Sequence, residues 1–122
     1  MNYIYSIITL SFIFVSCGKD IPTLEGVDQQ MWKEDKNGCG NKRSAMQDAL
    51  TNQKDKLLAL EELQIVELLG KPDQNELSER NQKFFYYFLQ PSKACNSADT
   101  LAPKRLAIRF NAMGLAKEVA IE

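Results

Sequence analysis

The order of apolar and polar positions divides the chain into an apolar start, a helical part and an alternating part. Residues 3–15 are almost wholly apolar, and the sequence turns polar directly after Cys17. Between residues 29 and 73 apolar residues recur at helical spacing, whereas from residue 83 onward they recur at every second position. The pattern therefore predicts helices first and strands afterwards.

Three helical segments are predicted before residue 73. Residues 29–34 form a short turn of helix, which the Asn-Gly and Gly-Asn pairs of DKNGCGNKR bring to an end. A helix over about residues 42–54 follows, with one apolar stripe along it. The third lies within residues 61–73, where Gly70 suits the left-handed position after a helix and Pro72 prevents continuation.

Three strands are predicted after residue 83. In KFFYYFLQ, residues 83–90, successive aromatic side chains point to opposite faces of a sheet. RLAIRFN and LAKEVAIE form the next two strands, and the four-residue link between them is short enough for an antiparallel hairpin. Helices followed by a meander predict a two-layer α+β domain, with the N-terminal helices packed on one face of a three-stranded antiparallel sheet.

The apolar start has the features of an export signal. It is too short to span a bilayer, which takes about 20 apolar residues, and it fits the core of a signal peptide. The stretch FVSC, which ends at Cys17, resembles the bacterial lipobox, and the resemblance implies cleavage before Cys17 and acylation of that residue. An ordinary secretory signal with an incidental cysteine is the alternative. We expect a lipoprotein signal peptide at 1–16, a lipid-anchored tether at 17–28 and one domain at 29–122.

Composition argues against catalysis and against nucleic-acid binding. The chain has 15 basic and 16 acidic residues, a net charge of −1 and no histidine. Nucleic-acid binding requires a clustered basic face, and histidine is the commonest general base near neutral pH. Glu61 and Glu62 are adjacent on a helix and therefore point apart. We expect no enzyme activity, no metal, no cofactor and no small-molecule substrate.

Two further cysteines, Cys39 and Cys95, form the expected covalent link. An even number of cysteines in an exported chain favours a disulfide, which would stabilise the fold by about 4 kcal/mol through loop closure. A zinc site fits poorly, because two cysteines without histidine are an incomplete ligand set. A pair of free thiols is the other alternative.

Parts of residues 42–121 resemble the BamE (SmpA/OmlA) lipoprotein domain. The strings that carry the resemblance are VELLGKPD, the aromatic strand and LAIRFNAMGLAKEVAI. The matching residues are Leu69, Gly70, Pro72, Asp73, Tyr86, Tyr87, Leu106, Ile108, Phe110, Gly114 and Val119. All of them are fold signals, so no family site is carried over.

The resemblance implies a lipoprotein of the outer membrane of a Gram-negative bacterium, facing the periplasm. Its role would be to act as a protein-binding scaffold, as an accessory to the machinery that assembles β-barrel proteins. The same layered fold resembles the repeats of a secreted β-lactamase inhibitor, so an inhibitor-like or ligand-capturing domain is the alternative. A fold by itself does not choose between these functions.

Five residues are candidates for contact with a protein partner. Phe85 and Tyr87 form an exposed apolar patch if that face of their strand is uncovered, and belong to the core if helices cover it. Trp32 is either an interface anchor or a plug at the edge of the domain. Arg105 and Arg109 point outward from the next strand, where they meet acidic partners or lipid headgroups, or simply solvent.

Overall fold

A computed structural model describes residues 19–95 and 102–122 of the protein. The predicted signal peptide and Cys17 lie outside the described residues. The domain is α+β, with four short α-helices followed by a four-stranded antiparallel sheet. The predicted α+β class is thus confirmed, whereas the described residues form four strands instead of the predicted three.

The helices are α1 (Gln29–Glu34), α2 (Lys42–Ala45), α3 (Gln47–Gln53) and α4 (Glu62–Leu69). The first and last were predicted with nearly these bounds. The predicted helix over residues 42–54 is divided at Met46, whose φ of −95° and ψ of 1° interrupt the helical path. The Met46 side chain enters the core, where its sulfur accepts a hydrogen bond from the Asp28 N–H.

Specific interactions define both ends of helix α4. Glu61 and Gln64 form a capping box, in which each side chain accepts a hydrogen bond from the other residue's backbone N–H. Gly70 follows the helix with φ of 81°, a conformation that other residues adopt only with strain. Glu61 and Gly70 therefore fix the start and the end of this helix.

The strands are β1 (Gln74–Leu77), β2 (Lys83–Phe88), β3 (Arg105–Phe110) and β4 (Ala116–Ile121). Each is antiparallel to the next, in the order β1-β2-β3-β4. β1 is the strand that the sequence did not predict, because all four of its residues are exposed and neither alternation nor aromatic residues mark it. It joins the sheet through its pairing with β2.

The core lies between the helices and one face of the sheet. Phe85, Ile108 and Phe110 project from the sheet into it and belong to the same buried cluster as Leu50 and Ile65 of the helices. The side chains that the sheet contributes to the core are those of Phe85, Tyr87, Leu106, Ile108, Phe110, Ala116 and Val119.

Residues 19–28 pack against the domain instead of forming the predicted tether. Leu24 and Val27 are buried in the core, with exposed fractions of 4% and 8%. The Gln53 side chain holds the backbone of Glu25 from both sides, accepting from its N–H at 2.7 Å and donating to its carbonyl. The folded domain therefore includes these residues. The sequence did not predict this, because two apolar residues form no recognisable period and the hydrogen bonds of Gln53 exist only in the folded chain.

The two ends of the sheet differ in character. At the hairpin end lie the turns at residues 78–82 and 111–115, and α4 begins there because Glu61 bridges Leu115. At the disulfide end, the Cys39–Cys95 bridge joins the turn at residues 36–38 to the segment after β2, with Cα atoms 5.4 Å apart. The predicted disulfide is confirmed in the structure.

Candidate functional site

The three aromatic candidates for partner contact are core residues. Trp32 and Tyr87 are fully buried, and Phe85 is 5% exposed and packs edge to face against Phe110 at 4.7 Å between ring centroids. Phe85 and Tyr87 lie on the face of β2 that the helices cover. The hypothesis of an exposed patch at Phe85 and Tyr87 is therefore wrong, and both are core residues. The burial of Trp32 likewise does not fit an exposed interface anchor.

A buried arginine organises the side of the core where Trp32 lies. The Arg43 guanidinium carbon lies 5.0 Å from the centroid of the Trp32 ring and 5.8 Å from that of Tyr87. Arg43 also donates from Nε to the Trp32 carbonyl at 2.8 Å. Arg43 is 1% exposed, so the cation is held almost entirely by aromatic faces and hydrogen bonds.

The charge of Arg43 is balanced by Asp73. Arg43 Nη1 lies 2.6 Å from Asp73 Oδ2, and the same carboxylate accepts from the N–H groups of Phe88 at 2.8 Å and Asn37 at 3.0 Å. Asp35 adds a second buried carboxylate, which accepts from the Arg43 N–H at 2.9 Å. This network ties α2, the turn at residues 36–38 and β2 together, so its role is structural.

Sequence reasoning missed this network. Asp73 stood out only as the last residue of LGKPD, and Arg43 looked like one of several charged residues on the polar side of a helix. An arginine contributes no periodicity that would distinguish a buried position from an exposed one. The pairing joins residues 30 positions apart, which the sequence pattern does not relate.

The opposite face of the sheet, which we call the outer sheet face, carries partly exposed arginines beside aromatic residues that are themselves largely buried, with Tyr86 5% and Phe88 7% exposed. The described helices pack on the other side. Cross-strand pairing places aromatic residues of β2 beside arginines of β3 and acidic residues of β1 and β4. The outer sheet face consists of Gln74, Glu76, Phe84, Tyr86, Phe88, Arg105, Ala107, Arg109, Glu118 and Ala120.

The two predicted arginines are placed on this face as expected. The Arg105 guanidinium lies over the Tyr86 ring, 3.8 Å from its centroid, and pairs with Glu122 at 3.0 Å. Arg109 pairs with Glu118 at 3.2 Å. Both arginine side chains remain partly exposed, at 30% and 28%. Arg105 therefore covers the Tyr86 ring, and both arginines still meet solvent.

Tyr86 is the centre of the outer sheet face. Its ring is stacked on Phe84 with 6.0 Å between centroids, and its hydroxyl donates to Glu76 Oε2 at 3.3 Å. Burial of the phenol and the nearby Glu76 carboxylate raise the pKa of Tyr86, and the positive charge of Arg105 opposes them only in part. The hydroxyl stays protonated at neutral pH and remains a hydrogen-bond donor.

Two clefts flank the disulfide end. One, of about 400 Å³, is lined by the lysines Lys33, Lys36 and Lys71 beside Gly70. Another, of about 380 Å³, has Ser92 in its wall, and the Ser92 hydroxyl has no hydrogen-bond partner among the described residues. Neither cleft unites a nucleophile, a base and an oxyanion-binding group.

Metal-ligating and membrane-spanning features are also absent from the described ranges. Residues 19–95 and 102–122 contain no group of three or more His, Cys, Asp or Glu side chains that could hold a metal ion. Over the same ranges, no helix has the length and apolar content to cross a bilayer. The outer sheet face is thus the candidate site that geometry favours.

The comparisons with known proteins identify no relative of the chain. The chain matches no protein-family model, no curated protein and no solved structure.

Proposed function

We propose that this protein is a non-catalytic lipoprotein of the bacterial envelope, which binds another protein through the outer sheet face. The observation that carries the proposal is the arrangement of Arg105 over Tyr86, beside Arg109 and Phe84, on a face that the described helices leave open. The FVSC stretch before the domain supports attachment to a membrane through Cys17.

The chemistry of this face suits a protein partner. Tyrosine and arginine are the residue types most enriched where binding energy concentrates, and Arg105 and Tyr86 already form such a pair. The ion pairs of Arg105 with Glu122 and of Arg109 with Glu118 are partly exposed, and pairs of this kind are worth only about 0–1 kcal/mol. An acidic partner can therefore replace either glutamate at little cost.

The resemblance to BamE-type domains guides the choice of partner. It rests on the LGKPD ending of α4 and on the hairpin of β3 and β4. On this basis we propose an accessory role in β-barrel assembly at the periplasmic side of the outer membrane. Binding of a soluble enzyme or ligand by the same face is the competing function.

A crosslinking pull-down from intact cells tests the proposal. The variants are the full-length protein, Cys17→Ala, the double variant Arg105→Ala/Arg109→Ala, and Lys42→Ala as a control that removes an exposed cation of α2, away from the outer sheet face. We expect the wild type and Lys42→Ala to capture barrel-assembly components, and the other two variants to lose them.

Two results would count against this function. Capture of an unrelated soluble enzyme by the wild type and Cys17→Ala alike would favour the inhibitor-like alternative. Capture of the same membrane partner by Arg105→Ala/Arg109→Ala and the wild type would place the contact elsewhere on the domain.

A further inference from the structure

The most exposed large apolar side chains of the described residues share one end of the molecule. Leu63, Leu77 and Met113 are 79%, 74% and 82% exposed. Leu63 lies in the first turn of α4, Leu77 ends β1, and Met113 lies in the turn between β3 and β4. All three positions belong to the hairpin end.

Contacts across the hairpin end hold these three positions in one region. Leu77 is paired with Lys83, and Lys83 Nζ lies 2.8 Å from Glu62 Oε1, directly before Leu63. The Glu62 carboxylate also lies beside Gly114, the neighbour of Met113. Strands are spaced about 4.8 Å apart, so the turn that carries Met113 lies roughly 12 Å from β1.

The described chain starts at this same end. The Lys19 carbonyl accepts a hydrogen bond from Gln64 Nε2 at 2.5 Å, next to Leu63. Lys19 Nζ donates to the carbonyls of Lys56 and Leu58, each at 2.7 Å. Three hydrogen bonds therefore fix the position at which the chain joins the domain.

Cys17 precedes Lys19 by only two residues. Two residues span at most about 7 Å even when fully extended, whereas a domain of roughly 100 residues has a radius of gyration of about 13 Å. A lipid on Cys17 would hold Lys19 close to the headgroups. The domain could not turn another end toward the bilayer without breaking the hydrogen bonds of Lys19.

We propose that the hairpin end rests on the lipid surface that carries the anchor, with Leu63, Leu77 and Met113 entering the interfacial layer. This inference rests on the proposed function, because it takes Cys17 as the lipid attachment site. Exposed apolar side chains that surround a membrane attachment point gain by entering the headgroup region, which a water-facing surface does not offer. The nearby charges of Glu62 and Lys83 are paired with each other.

Tryptophan depth measurements test the orientation. Leu63→Trp, Leu77→Trp and Met113→Trp are compared with Lys71→Trp, an exposed position beside Gly70 toward the disulfide end. The lipidated full-length proteins are reconstituted in vesicles of phosphatidylethanolamine and phosphatidylglycerol, with and without brominated acyl chains. The native Trp32 is fully buried and supplies a constant background.

We expect quenching at the three hairpin-end positions to exceed that of Lys71→Trp by about twofold or more, since interfacial residues lie some 5–10 Å deep. Adding Leu63→Glu and Met113→Glu to the Leu77→Trp protein should reduce its quenching to the level of Lys71→Trp. These sites are largely exposed, so the substitutions leave the core unchanged.

The mass of the mature protein separates the two ways in which the inference can fail. If Cys17 carries lipid and the four tryptophans are quenched alike, the end-on orientation is overturned while the proposed anchor survives. If Cys17 carries no lipid, the anchor of the proposed function is overturned and the orientation with it. Binding by the outer sheet face is tested independently by Arg105→Ala/Arg109→Ala.

Discussion

At the scale of single residues, the fold depends on a charge that is hidden from water. Arg43 is enclosed by the rings of Trp32 and Tyr87 and paired with Asp73. A buried pair is weak evidence for net stability compared with an apolar core, yet removing one partner leaves the other charge uncompensated. Arg43 and Asp73 are therefore the side chains whose separate loss should matter most.

We expect Arg43→Ala to lower the free energy of unfolding by about 3–5 kcal/mol, because Asp73 is left buried without its cation. Lys42→Ala, at the adjacent exposed position of α2, should change it by less than about 0.5 kcal/mol. Arg43→Lys should not restore the loss, since an ammonium cannot reproduce the planar contacts of the guanidinium. Urea denaturation measures all three, and equal midpoints for Arg43→Ala and Lys42→Ala would contradict the prediction.

The buried phenol of Tyr87 should make the free energy of unfolding depend on pH in the alkaline range. Burial raises the pKa of its phenol, whose hydroxyl donates to the Gly70 carbonyl at 2.7 Å. Above a pH of about 10 the unfolded chain releases this proton while the folded protein keeps it, so stability falls by up to about 1.4 kcal/mol per pH unit. Below that pH the contribution is fully present.

The Tyr87→Phe variant isolates this effect. It lacks the hydrogen bond to Gly70 and should be about 1 kcal/mol less stable than the wild type at neutral pH. It also lacks the titrating group, so the difference between the two proteins should shrink as pH rises above about 10. Denaturation curves at pH 7 to 11 measure it, and a constant difference would refute the assignment.

At the scale of elements, the Cys39–Cys95 bridge closes a long covalent loop. It spans a sequence separation of 56 residues and joins the turn at residues 36–38 to the segment after β2. Asn37, beside the bridge, donates its N–H to Asp73 and accepts at its carbonyl from the Ser92 N–H at 3.2 Å. The bridge thus supports a turn that helps to hold the buried ion pair.

We expect Cys39→Ser/Cys95→Ser to be less stable than the wild type by about 4 kcal/mol, the loop-closure contribution for a separation of this size. Addition of a reductant should lower the stability of the wild type and leave that of the double variant unchanged. Thermal unfolding with and without reductant provides the comparison. A wild type that is insensitive to reductant would show that the bridge contributes little.

The elements that the sequence predicted are those with local signals. Gly70 and Pro72 marked the end of α4, and alternation marked β2, because these signals act within a few residues. β1 carried no such signal, since Gln74–Leu77 is exposed on every residue and is held by pairing alone. Arg43 was missed for a related reason: its partners come together only in the folded chain.

The residues of the candidate site likewise divide into those that a local sequence pattern predicted and those that only the folded structure placed. Alternation placed Arg105 and Arg109 on one face of their strand, and the structure agrees. The faces of β2 were also separated correctly, but alternation does not tell which face the helices will cover. That choice depends on how helices and sheet pack, so Phe85 and Tyr87 stood open between surface and core until the structure placed them in the core.

At the scale of the whole molecule, the proposed membrane attachment and the proposed partner binding use different surfaces. The hairpin end carries Lys19 and three exposed apolar side chains, whereas the outer sheet face carries Arg105 and Tyr86. With the hairpin end on the lipid, the strands stand upright and the outer sheet face looks sideways along the membrane. The proposed partner would then be a neighbour in the same membrane.

The packing of residues 19–28 limits where such a protein can search for partners. A flexible linker of this length would let the domain take many positions and orientations around its anchor. A segment that Leu24 and Val27 fix in the core does not allow this freedom. The effective concentration of the outer sheet face is then high within roughly one strand length of the bilayer, about 20 Å, and negligible further away. Under the proposed anchoring, partners that diffuse in the membrane plane would meet this face far more often than proteins held further from the membrane.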